Sequence, residues 1–323
     1  MKTPNHSISH GFLSLLIGIV VMVAPALLFT SCFTGIEGTK KISLTKGERK
    51  ALLPSEEEEF FRPVTGAPLS EWEAGREFIA PDNRAILIFD QEGLEADPDA
   101  AALEGKILRF AGTDSKLAPD GSMNTVLLFT LGDRTYRYNT GKTRQEALTN
   151  VKSDQIPMLI DLRMVEAARS LLVGKKLWTR SPLWYDERGE RFTGRKYVPV
   201  TVRNVTPGTV AFPMKVEFTD EKGRTAWAMM NFGYSSKESR SFANLFMLSD
   251  LREKYPEIED EVWDLICAGR VKAGMTKIEC KLALGNPTEV DQGHDYTQTL
   301  DLWHYSDGAV LWFEDGLLTR FRQ

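Results

Sequence analysis

The chain holds three cysteines and four histidines, the residue types most able to carry metal or thiol chemistry. Cys32 stands apart, because it closes an apolar run from Phe12 to Phe29 followed by Thr30-Ser31. A thiol there suits covalent modification after a cut at a small residue. Cys267 and Cys280 fall near the end of one expected helix and inside the next. In an oxidising compartment they could be bridged, and they equally suit two small buried side chains. His294 and His304 are the only histidines beyond Cys32. A zinc site would need further ligands at plausible spacing, and none is evident. There is no Cys-x-x-Cys, no Gly-x-Ser-x-Gly, no Walker loop and no His-Glu-x-x-His. Acidic residues abound, but no pair can be assigned to one face, so a glycosidase-type arrangement has no support. The expectation is a chain without cofactor, metal site or enzymatic activity.

The formal net charge of -5, with no concentrated basic stripe, gives no electrostatic reason to hold nucleic acid. Hydrophobic residues make up 42% and charged residues 26%, as in ordinary globular chains. A length of 323 residues allows two or three compact domains.

The N-terminus has the plan of a secretory signal: Lys2, the apolar run, then Phe29-Thr30-Ser31-Cys32. A retained transmembrane helix is the competing reading, since the run nearly reaches spanning length. Pro25 and the positioned Ser31-Cys32 favour cleavage. The last four residues resemble a lipobox of the Bacteroidetes-type lipoproteins. That resemblance implies removal of residues 1–31 and acylation of Cys32. Phe33 stands where an aspartate would resemble an inner-membrane retention signal, which points to the outer membrane. No acidic cluster follows Cys32, which points to the periplasmic face.

Residues 32–66 read as a flexible tether, with Glu56-Glu57-Glu58-Glu59 as a solvated run. Two similar stretches follow. Gly75-Arg-Glu-Phe78 and Gly174-Lys-Lys-Leu177 each open a module, followed by Leu87-Ile-Phe-Asp90 and Leu183-Trp-Tyr-Asp186. Val126 to Thr130 then matches Val216 to Thr219, and Tyr136-Arg-Tyr138 matches Ala226-Trp-Ala228. These are short runs bounded by Gly, Asp and Pro, which are strand and turn signals. They predict tandem antiparallel β-barrel or sandwich modules over 67–150 and 151–240. Pro199 should place its strand at an edge or bulge. A helix is expected over Ile156–Leu172. Trp178, Trp184, Tyr185, Tyr197 and Trp227 suit core and rim packing, or alternatively a surface that stacks sugars.

Residues 241–323 change character. Phe242, Leu245, Phe246, Leu248 and Leu251 suggest a helix, and Glu259–Cys267 a second one. Thr276 with Glu279 forms a capping box for a short helix that Gly285 and Pro287 end. Two Asp-Gly turns then join three expected strands in an antiparallel meander. The ordered set Gly274-Met275-Thr276, Leu284-Gly285-Asn-Pro287, Trp303-His-Tyr305, Phe313 and Gly316 resembles the BamE/SmpA/OmlA family of outer-membrane lipoproteins. The resemblance covers about 258–323. It implies a helix-pair-plus-sheet domain that binds protein partners, with barrel-assembly machinery as the family's best-known context. The whole reads as an α+β lipoprotein that binds envelope proteins, with a glycan or peptidoglycan receptor as the alternative.

Overall fold

The four glutamates expected to form a solvated run belong instead to a docked helix. The computed structural model describes residues 54–90, 102–295 and 298–322, so Cys32, the run before it and the tether up to residue 53 lie outside the described residues. Ser55 and Glu58 form a reciprocal capping box at the start of α1 (Glu56–Phe61), and the acidic first turn suits the positive end of the helix dipole. Phe61 is fully buried and stacks on Phe242 at 5.2 Å. Val64 joins the same core. Glu57 is turned inward, 3.7 Å from Arg180. The charges had masked an apolar end that belongs to the body. Ser55→Ala should therefore lower unfolding free energy by about 1 kcal/mol in urea denaturation. An unchanged midpoint would show that α1 is not part of the cooperative unit.

The first sheet comprises β1 (Glu77–Ile79), β2 (Ile107–Leu117), β3 (Met123–Leu131), β4 (Arg134–Asn139) and β5 (Ile160–Asp161). Its order is β4-β3-β2-β1-β5, antiparallel throughout. Phe78, Phe110, Phe129 and Tyr136 fill its core beneath Trp72. The run at Leu87–Asp90 is not a strand. Asp82 caps a 3-10 helix at Asn83–Ile88, and Phe89 then plugs the core. α2 (Arg144–Asn150) leads back towards β5. The helix expected from Ile156 begins only at α3 (Leu162–Leu172), capped by Asp161. Pro157 and the left-handed Met158, at φ 59°, keep the preceding chain out of the helix. That leaves Ile160–Asp161 free to pair with β1.

The second sheet takes β6 (Lys176–Thr179), β7 (Leu183–Tyr185), β8 (Arg191–Thr193), β9 (Pro199–Pro207), β10 (Met214–Asp220) and β11 (Thr225–Met230). With β12 (Phe246–Met247) its order is β12-β6-β9-β10-β11-β7-β8. β10 alternates buried and half-buried residues along its whole length, as a strand with one covered face must. α3 lies across β9. Pro199 sits in an interior strand rather than at an edge; as its first residue, it is at a position that tolerates the missing N–H. α4 (Phe242–Leu245) is one turn long, not the longer helix expected. Phe246 and Met247 leave it to pair with Thr179 and Trp178, and Phe246 packs edge-on against Phe218. An open sheet edge outcompeted helix propensity there.

The third group follows a 3-10 turn at Leu251–Lys254. It contains α5 (Asp260–Cys267), α6 (Lys277–Leu284) and the meander β13 (Glu289–Asp295), β14 (Gln298–His304), β15 (Val310–Glu314) and β16 (Leu317–Arg322). β13 was not among the expected strands. Its sequence is polar apart from Val290, so apolar alternation gave no signal. Asp315 and Gly316 both take positive φ, 48° and 85°, as a tight hairpin turn with matching twist requires.

The fold is α+β, with three antiparallel sheets and no closing strand pair among the described residues. The described residues from 54 to 322 belong to one compact unit. The first two sheets are not independent, since Ile79 and Ile160 of the first pack into the core of the second.

Candidate docking surface

The residues of the Gly-Met-Thr…Phe…Gly pattern come together as a fastening system. Gly274, at φ 90°, donates its N–H to Leu318 O at 2.7 Å. Met275 is buried, and its carbonyl accepts from Leu318 N at 2.8 Å. Thr276 caps α6 reciprocally with Glu279. Gly285 ends that helix at φ 90° and ψ -167°, outside the left-handed helical region expected but equally unsuited to a side chain. The Tyr305 hydroxyl donates to Gly285 O at 3.3 Å, while Pro287 follows in the link to β13. Trp303 and Phe313 pack 4.5 Å apart between sheet and helices. Gly316 completes the last turn. Each of these residues shapes or holds the domain, and none points a reactive group outward.

Cys267 and Cys280 are free, buried thiols. Burial pushes Cys267 up to about 11 and Cys280 up to about 12. Both therefore stay protonated at neutral pH, which suppresses the nucleophilic thiolate. No group of three or more His, Cys, Asp or Glu among the described residues could hold a metal ion. His304 lies on β14, 3.4 Å from Asp291, and His294 lies in β13.

The aromatics of the second module divide by strand face. Trp184 is interior, edge-on to Phe192 and Phe218, and cannot meet a ligand. Tyr185 and Trp227 share the outer face and stack at 4.4 Å. Lys215 lies 4.8 Å over Trp227 and Arg240 5.9 Å over Tyr185, so both rings are already engaged. Trp178 lies under Lys176, and Tyr197 packs against Trp263 at 6.1 Å.

Tyr197 belongs to a clasp that sequence reasoning missed. Its hydroxyl and Lys196 Nζ both donate to Leu282 O, at 3.2 and 3.1 Å, and Lys196 also donates to Ala283 O. These are end carbonyls of α6, where a cation is favoured. Arg195 pairs with Asp264 on α5 at 2.6 Å. The clasp joins the second sheet's loop to both C-terminal helices. Its only sequence trace is an unremarkable Arg-Lys-Tyr.

With α5 and α6 held in this way, one face of the β13–β16 sheet is covered through Trp303, Leu311, Phe313 and Leu318. The opposite face is largely open to solvent: Leu300, Glu314, Leu317, Arg320 and Arg322 are exposed on it, while Val310 is buried. Register sets three rows across it: Glu289–His304–Val310–Arg322, Asp291–Leu302–Trp312–Arg320 and Gly293–Leu300–Glu314–Leu317. Leu300 and Leu317 are 38% and 48% exposed, and Leu302 and Trp312 are half-buried. Gly293 leaves the floor of this face low. A groove of about 410 Å³ runs beside it, walled by Leu300, Leu302, Trp312 and Glu314. Arg320 lies 4.3 Å over the Trp312 ring. The sheet below is stiffened by buried Asp301, which accepts from Gln292 at 3.0 Å and from Lys277. The surface is thus an apolar centre between an acidic strand, β13, and a basic strand, β16.

No protein-family model, curated protein or solved structure matches this chain. The open sheet face therefore rests on its own geometry. That face is apolar in the middle and charged along both sides, with the helices α5 and α6 on the other side of the sheet.

Proposed function

We propose that the chain is a non-enzymatic lipoprotein of the outer membrane, tethered at Cys32 on the periplasmic face, that binds protein through its C-terminal helix-and-sheet domain. On this reading two tandem β-modules precede a domain of the BamE/SmpA/OmlA type, and envelope proteins are the partners, with barrel-assembly machinery as one candidate. The observation that carries the protein-binding reading is the largely open apolar and charged face of β13–β16. The anchor rests on the lipobox-like Phe29-Thr30-Ser31-Cys32. A glycan receptor has less support, because Trp184 is interior and the half-buried rings Tyr185 and Trp227 are engaged with each other and with cations.

The test couples both parts. In cells fed a labelled fatty acid, the full-length chain should take up label and fractionate with the outer membrane, while Cys32→Ser should lose both properties. A photo-cross-linker in place of Trp312 should capture a protein on the anchored chain, and one in place of Leu87, exposed on the 3-10 helix at Asn83–Ile88, should not. Persistence of label in Cys32→Ser overturns the anchor. Equal capture from both positions overturns the docking face.

A further inference from the structure

We infer that the partner this face fits is a second copy of the same chain, docked sheet to sheet about a two-fold axis parallel to the strands; the inference rests on the protein-binding reading above. The argument is the polarity of the face. Two of the three acidic side chains in its rows, Glu289 and Asp291, stand on the outermost strand β13, and the third, Glu314, stands on β15 beside Leu300. Its basic ones, Arg320 and Arg322, stand on the opposite outermost strand β16. Between them lie Leu302 and Trp312, directly paired on β14 and β15. The register shift between Trp312 and Phe313 keeps Arg320 and Arg322 on the open face with Trp312 and Val310.

Two copies of such a face have two simple two-fold arrangements. An axis across the strands would lay acidic β13 on the other copy's acidic β13. An axis along the strands lays β13 of each copy on β16 of the other. Glu289 and Asp291 then face Arg320 and Arg322 twice over, as an isologous interface demands. Leu302 and Trp312 of both copies meet at the centre. This is the ordinary aligned stacking of two sheets about 10 Å apart. The contact satisfies both charged strands and the apolar row at once, and the like-charge arrangement is excluded by the same residues.

The area places the contact among the smaller interfaces. Four strands about 4.8 Å apart, each contributing about 3.3 Å per residue, outline a patch roughly 300 Å² in plan. Side-chain relief brings the total buried surface of two copies to about 1,000 Å², the size of weak, reversible complexes. Anchoring two copies to one membrane raises their effective concentration and offsets that weakness.

The experiment is sedimentation of the purified full chain in detergent, with charge-reversed variants. The wild type should shift from monomer towards dimer as its concentration is raised. Arg320→Glu with Arg322→Glu makes the face acidic on both sides and should abolish the shift. Glu289→Lys with Asp291→Lys makes it basic on both sides and should also abolish it. Mixing the two double variants in equal amounts should restore the dimer, and so should all four changes in one chain. Unaltered circular dichroism and thermal midpoints guard against misfolding. A wild type that stays monomeric overturns the inference, as does dimerisation that ignores all four charges. A monomeric chain whose Trp312 position still captures a different protein would sink the dimer and leave the protein-binding reading standing. A dimer without envelope partners would support the inference alone.

Discussion

Replacing Arg76 with methionine should lower the unfolding free energy by about 3–5 kcal/mol, among the largest effects of any single substitution in this chain. Arg76 and Asp161 are 5% and 0% exposed, and their guanidinium and carboxylate are in contact. Arg76 also donates to Ser153 Oγ at 3.1 Å, and that hydroxyl in turn accepts from Ala67 N at 3.1 Å. Asp161 has a second task, since its other oxygen accepts from Arg163 N at 3.0 Å and caps α3. Removing the arginine strands a fully buried carboxylate. The cost is that of the orphaned charge rather than the net value of the pair. Arg76→Met combined with Asp161→Asn should therefore cost less than the single change, about 1–2 kcal/mol, because asparagine still caps the helix and carries no charge. Urea denaturation of the wild type, both single variants and the double variant measures this non-additivity. A double variant no more stable than Arg76→Met would refute the account.

Neither member of that pair was visible as such in the sequence. Gly75-Arg-Glu-Phe78 was legible as the opening of a strand module, which β1 is, but its ionic partner lies 85 positions away. What could be read locally was read from local rules. The capping box at Thr276 and Glu279, the stops at Gly285 and Pro287, the acidic start of α5 and the Asp-Gly hairpin turns all depend on residues a few positions apart. The misreadings arose where a distant surface decided. Glu56–Glu59 became a helix because Phe61 found Phe242, and the segment after Leu245 became a strand because β6 offered an edge. Leu87–Asp90 shows the remaining case, in which a short apolar run fits a 3-10 turn as well as a strand. The open sheet face was legible only in part. Trp303, Tyr305 and Phe313 marked the sheet, but β13, which supplies its acidic side, carries almost no apolar signal. Without that strand the polarity of the face does not exist.

The second large effect concerns alkaline pH. Above about pH 9 the stability of the chain should fall steeply, and the two buried thiols should account for much of the loss. Cys267 and Cys280 are 2% and 0% exposed, on α5 and α6. Burial raises them from an ordinary 9.0 to about 11 and about 12. An acid whose folded value is raised keeps its proton in the native state after the unfolded chain has lost it. Between pH 9 and those values the native state binds more protons, so unfolding free energy declines as pH rises. At roughly 1.4 kcal/mol per unit, the limits are about 3 kcal/mol for Cys267 and about 4 kcal/mol for Cys280. Tyr305, pushed up to about 12 by the same burial, adds to the decline. Lys196 opposes it. Burial lowers its ammonium from 10.5 to about 8, so the native state has fewer protons there and stability rises between those two values. Two thiols outweigh one amine above pH 9, and the stability profile should bend downward there. Cys280→Ala should cost stability at pH 7 by loss of packing, yet flatten the decline between pH 9 and 11. Urea denaturation at half-unit pH steps gives both numbers, and an equally steep decline in Cys267→Ala/Cys280→Ala would place its origin elsewhere. The same burial makes both thiols poor nucleophiles: with so little thiolate at neutral pH and almost no solvent access, neither can readily attack an incoming disulfide.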